Sequence, residues 1–269
     1  LKTFDYVFLP NTINSEPADP ETFSWFCPWG QTLPLMLKNE IPEHQNRILA
    51  PVIRFRDGIK SVQMALRAMA NRLGYSFKQS DQAVKEAFKC YDQFRENIAI
   101  KGNEALTLLC SHNAKGVVLV GRPYNIYDGG LNLNVPTKLI QQYGVNVIPM
   151  DFIPYSDVDI SDLHENMFWG YGYKILQASR FVGQNPNLHV IYFTNFKCGP
   201  DSYIKHFVRD AIGAPFLTLQ FDDHSNDAGI MTRCEAYLQS KGLLEQTPNL
   251  INAEHDIPVC EPGNDINGL

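Results

Sequence analysis

From Gly116 onward, apolar positions follow two alternating rhythms. Short, nearly unbroken apolar runs stand at 117–120, 145–148, 189–193 and 216–219, the signature of strands buried on both faces. Between and after them, apolar residues recur at helical spacing. One such segment is 133–143. The next carries Phe168, Tyr171, Ile175, Ala178 and Val182, the third Ile204, Phe207, Val208 and Ala211, and the last is 229–239. Strand and helix alternate four times, which predicts a parallel sheet covered by helices, a flavodoxin-like or Rossmann-like α/β domain over 116–245.

Before Gly116 the rhythm is sparser. Strands are predicted at 5–9 and 48–53, a polar loop over 10–24 and a helix over 31–38. Ile59, Val62, Leu66, Met69 and Leu73 mark a further helix with Gly74 as its stop. Ser80 or Asp81 is expected to cap a longer helix running toward Gly102. Two strands do not make a self-sufficient sheet. Residues 1–75 therefore read as the C-terminal part of a truncated α/β domain, 76–115 as a helical connector, and 246–269, rich in Asn, Asp, Pro and Gly, as an irregular tail. The chain opens at Leu1 with neither Met nor a signal pattern, and reads as a piece of a longer polypeptide.

Composition narrows the function classes. The 269 residues are 44% hydrophobic and 19% charged, with 23 Lys and Arg against 29 Asp and Glu, a net charge of −6. No basic stripe offers a nucleic-acid footprint, and no apolar run approaches the roughly 18 residues of a membrane span. None of the six cysteines is in C-x-x-C spacing, which argues against zinc ribbons, thioredoxin-type motifs and ferredoxin runs. Free thiols in a reducing cytoplasm are expected. Cys90, in a stripe with Ala83, Ala87, Phe94 and Ile98, Cys110, and Cys234 with Ile230 and Leu238 read as buried apolar thiols. Cys260 lies in the tail.

In an open parallel sheet of order 2-1-3-4, ligands bind beyond the carboxyl ends of the first and third strands. Those positions hold Gly121-Arg122-Pro123-Tyr124-Asn125 and Asn195-Phe196-Lys197-Cys198-Gly199-Pro200-Asp201. Neither is a dinucleotide or P-loop motif. Cys27 precedes Pro28 and Cys198 precedes Gly199-Pro200, so each thiol stands just ahead of a helix N-terminus, where the dipole favours thiolate. Trp25, Phe26, Trp29 and Phe196 would give apolar cover to an iron–sulfur cluster. Spacing alone leaves two unliganded loop cysteines equally open. Arg122 either binds an anion or cluster sulfide, or pairs with Asp128 or another carboxylate. Tyr124 either closes the crevice or packs in the loop. Asp201 and Ser202 read as helix caps. Asp222, Asp223, His224 and Asp227 read as loop organisers, with Asn226 or Asp227 capping the last helix rather than holding metal, and Arg233 and Glu235 tie that helix to the loop. His112, His164 and His206 have no partner identifiable from sequence, and no G-x-S-x-G elbow supports serine hydrolase chemistry.

Six blocks carry a family resemblance: DYVFLP (5–10), FCPWGQTLP (26–34), VVLVGRPYNIYD (117–128), MFWGYGYKIL (167–176), NFKCGPDSYIKHFVRDAIGAPFLTL (195–219) and DDHSNDAGIMTRCEAYL (222–238). They resemble bacterial proteins related to CoA-substrate-specific enzyme activases, of the 2-hydroxyacyl-CoA dehydratase and double-cubane iron–sulfur superfamily. The resemblance implies a [4Fe-4S] or double-cubane cluster held by three cysteines in flavodoxin-like domains, reduced by a separate ATP-hydrolysing activator. Cys27 and Cys198 match two ligand positions, and Arg122, Tyr124 and Asn195 would line the cofactor crevice. The family's third cysteine lies upstream of the D-Y-[VI]-F-L-P strand, before Leu1. The implied function is an iron–sulfur redox component of a dehydratase-like or double-cubane reductase system, with a CoA thioester as a candidate substrate, an activator module as partner and oligomerisation open. The competing readings are a scaffold that docks an activator without a cluster, and a metal-free flavodoxin-like binding domain.

Overall fold

The computed structural model describes residues 4–17, 21–223 and 226–244. Its main body is a four-stranded parallel sheet built from β5 (Gly116–Gly121), β6 (Asn146–Pro149), β7 (Leu188–Asn195) and β8 (Leu217–Phe221), in the order β6-β5-β7-β8. This is the 2-1-3-4 order expected from the sequence. Val118 aligns with Ile148 on one side and with Val190 on the other. Every residue of β5 is buried, as the central position between β6 and β7 requires. Helices α5 (Val135–Tyr143), α6 (Gly170–Gly183), α7 (Gly199–Ile212) and α8 (Ala228–Ser240) cover it, through buried Leu139, Ile175, Leu176, Ile204, Val208 and Leu238. Burying each such side chain contributes about 1.5–3 kcal/mol.

The opening region contributes two short parallel pairs. β1 (Val7–Phe8) pairs with β3 (Ile48–Leu49), and β2 (Asn11–Asn14) with β4 (Val52–Arg54). β2 lies inside the span read as a polar loop. Its two Asn and one Thr hide it from a hydrophobicity scan, and pairing with β4 creates it. α1 (Pro28–Glu40) and α2 (Ile59–Arg72) follow their strands, and Gly74, at φ +90°, stands just past the end of α2, a backbone conformation natural to glycine.

α3 (Phe77–Ser111) is 35 residues long, roughly 50 Å. It starts earlier and ends later than expected. Ser76 and Gln79 form a reciprocal capping box, while the Asp81 carboxylate receives Arg67 Nε at 2.8 Å. The buried side of α3 is also not the predicted one. Val84 packs with Ile53 and Val62, with partly buried Phe88 alongside, and Leu109 enters the main core. Ala83, Ala87, Cys90, Phe94 and Cys110 are exposed. A long helix spanning two cores touches each only at its ends, so the stripe between lacks the neighbours its spacing implies. Cys234 is fully buried, as expected.

Around the last helix, the side chain of Asn226 accepts from Ala228 N–H at 2.9 Å, Asp227 pairs with Lys138, and Arg233 Nη2 donates to the Thr218 carbonyl at 2.6 Å. His164 lies 3.0 Å from the Tyr203 hydroxyl, a partner 39 positions away that sequence does not reveal. His224, Cys260 and the 246–269 tail lie outside the described residues. No helix among the described residues is long and apolar enough to cross a membrane.

Gly102 fixes how α3 meets the sheet. A Cβ there would overlap the carbonyl oxygen of Phe152, in the 3-10 turn Met150–Phe152 that follows β6. Alanine favours a helix over glycine by about 1 kcal/mol, but overpacking costs about 1–3 kcal/mol or more. Gly102→Ala is therefore expected to lower the denaturant midpoint at an unchanged m-value. A second expectation concerns His189 on β7. Burial, with Lys241 and Lys115 nearby, lowers its pKa to about 4, while an unfolded histidine titrates near 6.5. Below about 6.5 the unfolded chain takes up a proton that the folded chain refuses. The contribution of neutral His189 is thus complete above that pH and is lost as pH falls toward about 4. Thermal melts across this window should show His189→Phe losing less stability on acidification than the wild type.

Candidate functional site

The carboxyl ends of β5 and β7 meet at the switch point of the sheet. Gly121 ends β5 where a Cβ would overlap the Phe193 carbonyl oxygen, so the two strand ends lie against each other. Arg122 follows at once, as N-cap of the single-turn helix α4 (Pro123–Tyr127), a segment read from sequence as loop. Its Nε donates to Asp201 Oδ1 at 2.9 Å, and Thr194 Oγ1 donates to Asp201 Oδ2 at 2.8 Å. Arg122 is 5% exposed and Asp201 1%. Burial by itself would lower the Arg122 pKa, but the adjacent Asp201 carboxylate holds it well above the usual arginine value. Removing one partner of such a pair costs about 3–5 kcal/mol. Of the two readings open for Arg122, pairing with a carboxylate is realised, and the carboxylate is Asp201 rather than Asp128. Asp201 is not a helix cap. It ties α7 to β5 and β7, while Ser202 Oγ bonds the Cys198 carbonyl at 2.9 Å.

The pair leaves polar atoms over. Arg122 Nη2, both amide atoms of Asn125 and Asn195 Oδ1 are buried and have no hydrogen-bond partner among the described residues. Buried polar atoms are normally satisfied.

Cys198 is the N-cap of α7 and Cys27 the N-cap of α1, where the following prolines predict them to be. Cys27 reaches the crevice because its segment docks on α6. Trp25 N–H donates to the Phe168 carbonyl at 3.2 Å and Gly170 N–H to the Trp25 carbonyl at 3.3 Å. Trp25 stacks on Phe168 at 5.9 Å and Phe26 packs edge-on to Tyr171 at 6.3 Å. A Cβ at Gly170 would come 2.7 Å from Ser15 Oγ, so glycine is what permits this approach. Burial pushes the Tyr124 hydroxyl up to about 12, with Arg122, Cys198, Asp201 and Cys27 in electrostatic range of it, and the residue as a whole is half exposed. Trp29 and Phe196 are strongly exposed.

The expectation of a thiolate at a helix N-terminus fails at Cys198. Burial and the nearby Asp201 carboxylate push its thiol up, against the smaller opposing effects of the Asp201 N–H and of Arg122. A helix dipole counts for a fraction of a charge. The carboxylate three residues on counts for a full one.

A second polar group borders this crevice, and the sequence reading missed it. Asp151 follows β6 directly. Its Oδ2 accepts the Tyr127 hydroxyl at 2.9 Å, and its charge acts on Tyr155, Tyr171 and Lys174. Burial raises the Asp151 pKa and lowers that of Lys174. Arg122 also acts on Tyr171, so the two groups are neighbours. The available signal was positional: the β6 carboxyl end lies beside that of β5, and an acid stands just beyond it.

Residues 1–153 match the family model described as the CoA enzyme activase uncharacterised domain. The chain belongs to that family. No curated protein and no solved structure matches it. In this CoA enzyme activase-related chain the family span holds Cys27, Arg122, Tyr124, Tyr127 and Asp151, while Asn195, Cys198 and Asp201 lie beyond it. The crevice is thus shared between the matched region and the rest of the chain. No group of three His, Cys, Asp or Glu side chains is assembled among the described residues.

Since Asp201 helps keep Cys198 protonated, Asp201→Asn is expected to move the pH midpoint of Cys198 alkylation downward and to speed modification at neutral pH. Site-resolved mass spectrometry separates Cys198 from the other thiols, and circular dichroism checks the fold. An unchanged or higher midpoint contradicts the assignment.

Proposed function

We propose that this chain is an iron–sulfur redox component of the 2-hydroxyacyl-CoA dehydratase and double-cubane superfamily, reduced by a separate ATP-hydrolysing activator. It is supported by two cysteines 171 positions apart, each the N-cap of a helix, with Tyr124 in the electrostatic range of both. The donor set fits a cubane in part. Cys27 and Cys198 would supply two thiolates, and the third ligand that the family resemblance implies would come from outside the pair.

A bound cluster would supply low-potential one-electron transfer, with an open iron for an exogenous oxygen or sulfur ligand. The chain's own groups would do the rest. Cys198 must lose its proton to ligate, and the pairing of Asp201 with Arg122 limits how strongly that carboxylate opposes the thiolate. Arg122 Nη2 and the Asn125 amide N–H would donate to cluster sulfides or a substrate oxygen, and Asn195 Oδ1 would accept from a substrate hydroxyl. Tyr124 would screen the crevice only in part, and Phe196 and Trp29, strongly exposed, do not cover it. A scaffold role is the second reading. It is favoured by Trp29, Leu33 and Met36, exposed at helical spacing along α1, a surface for an activator module.

Anaerobic reconstitution with iron and sulfide tests the first reading. Visible absorption and several irons per chain are expected in the wild type, lost on Cys27→Ala and on Cys198→Ala and retained on Cys90→Ala. Wild-type protein that takes up no iron, or variants that load as well as it does, would leave the scaffold reading.

A further inference from the structure

We propose that Trp25, Trp169, Tyr203 and His164 form a one-electron relay, which carries an oxidising equivalent away from the segment holding Cys27 to an exposed tyrosine. The relay goes beyond the iron–sulfur reading and does not depend on a cluster being bound.

Its parts come from three segments. Trp25 stands two residues before Cys27, His164, Phe168 and Trp169 in the stretch before α6, and Tyr203 in α7, five residues after Cys198. Trp25 stacks on Phe168 with ring centroids 5.9 Å apart, Phe168 meets Trp169 at 5.8 Å, and Trp169 meets Tyr203 at 5.8 Å. These are contact distances for aromatic rings. The backbones of Trp25 and Trp169 also pair, as an isolated parallel bridge. At the far end the Tyr203 hydroxyl lies 3.0 Å from His164 Nε2. Phe207 packs against both rings of that pair, at 5.0 Å from His164 and 5.5 Å from Tyr203.

Tryptophan and tyrosine are the aromatic side chains that give up an electron most readily. Phe168 is not a stop on the route; its ring lies between the two indoles and couples them. A phenol loses an electron easily only when its proton leaves too, so a redox tyrosine needs a base at hydrogen-bond distance. Neutral His164 supplies that base through Nε2. Trp169 is placed the opposite way. Its Nε1 is buried and has no hydrogen-bond partner among the described residues, so oxidised Trp169 keeps its proton and remains a strong oxidant of Tyr203. Tyr203 is 49% exposed, which puts the end of the route within reach of a soluble reductant.

The electrons balance over a cycle. An oxygen-derived one-electron oxidant takes an electron from Trp25 or Trp169. Tyr203 gives one electron to the resulting indole radical cation and its hydroxyl proton to His164 Nε2. The indole is restored, leaving a neutral tyrosyl radical beside an imidazolium. A reductant of the ascorbate or thiol class returns the electron, and His164 returns the proton.

The test uses the metal-free 269-residue chain carrying Trp29→Phe, which leaves Trp25 and Trp169 as its tryptophans. Azidyl radicals from pulse radiolysis oxidise indoles in preference to phenols. Indole-radical absorbance is expected to decay as tyrosyl absorbance grows, in a first-order step whose rate is independent of protein concentration. Tyr203→Phe, which keeps the ring, and Trp169→Phe are each expected to remove that step. His164→Leu is expected to slow it about a hundredfold, as loss of a positioned base does. Exposed Tyr75→Phe should leave it intact, and so should the double variant Cys27→Ala, Cys198→Ala, which separates the relay from the cluster reading. Circular dichroism confirms that each variant is folded. No first-order tyrosyl growth in the parent, or folded Tyr203→Phe, Trp169→Phe or His164→Leu variants that match its rate, would overturn the proposal.

Discussion

The buried ion pair between Arg122 and Asp201 organises the business end of the molecule. Two opposite charges taken out of water are tolerable only when each meets the other at good geometry and the remaining atoms find partners. Asp201 meets that condition with Arg122 on one oxygen and Thr194 on the other. In doing so it fixes the end of β5, the end of β7 and the first turn of α7 as one unit. Arg122 meets the condition only in part, because Nη2 is left over. The pair therefore serves two ends. It clamps the switch point of the sheet, and it presents an unsatisfied cationic donor to whatever occupies the crevice.

The same pair explains why the two N-capping cysteines are not chemically alike in surroundings. Cys27 sits in a segment that docks by backbone hydrogen bonds and ring stacking, with Trp25 and Phe26 against α6. Cys198 sits inside the electrostatic reach of Asp201. Burial, and after it the Asp201 carboxylate, pushes this thiol up, where local sequence suggested a thiolate. On the proposed cluster reading, ligation at Cys198 would displace a proton, and the buried guanidinium of Arg122 would help balance the charge that forms.

Packing and chemistry are linked across the sheet. Gly102 lets α3 lie directly on the turn after β6, that turn carries Asp151, and Asp151 accepts the Tyr127 hydroxyl. Tyr171 is in electrostatic range of both Asp151 and Arg122. One edge of a parallel sheet thus presents two environments side by side. One holds Arg122, Asp201 and Cys198, the other Asp151 with the Tyr127 hydroxyl.

Much of this was legible in the residues alone. Near-continuous apolar runs alternating with helical spacing fix a parallel α/β sheet, because a strand buried on both faces has no polar side to show. Proline directly after Cys27, and one residue further on after Cys198, marks helix starts, because its ring suits the first turn and needs no amide partner. The 2-1-3-4 order then names the ends of β5 and β7 as the crevice. The rest depended on encounters between distant residues. That Arg122 meets Asp201, 79 positions away, and that α3 shows solvent the stripe holding Cys90 and Phe94, follow from how elements stack. That polar β2 becomes a strand, and that Asp151 accepts the Tyr127 hydroxyl, follow likewise. Local propensity is written in a few successive residues. Desolvation and electric field are set by every neighbour in space, and those neighbours exist only once the chain has folded.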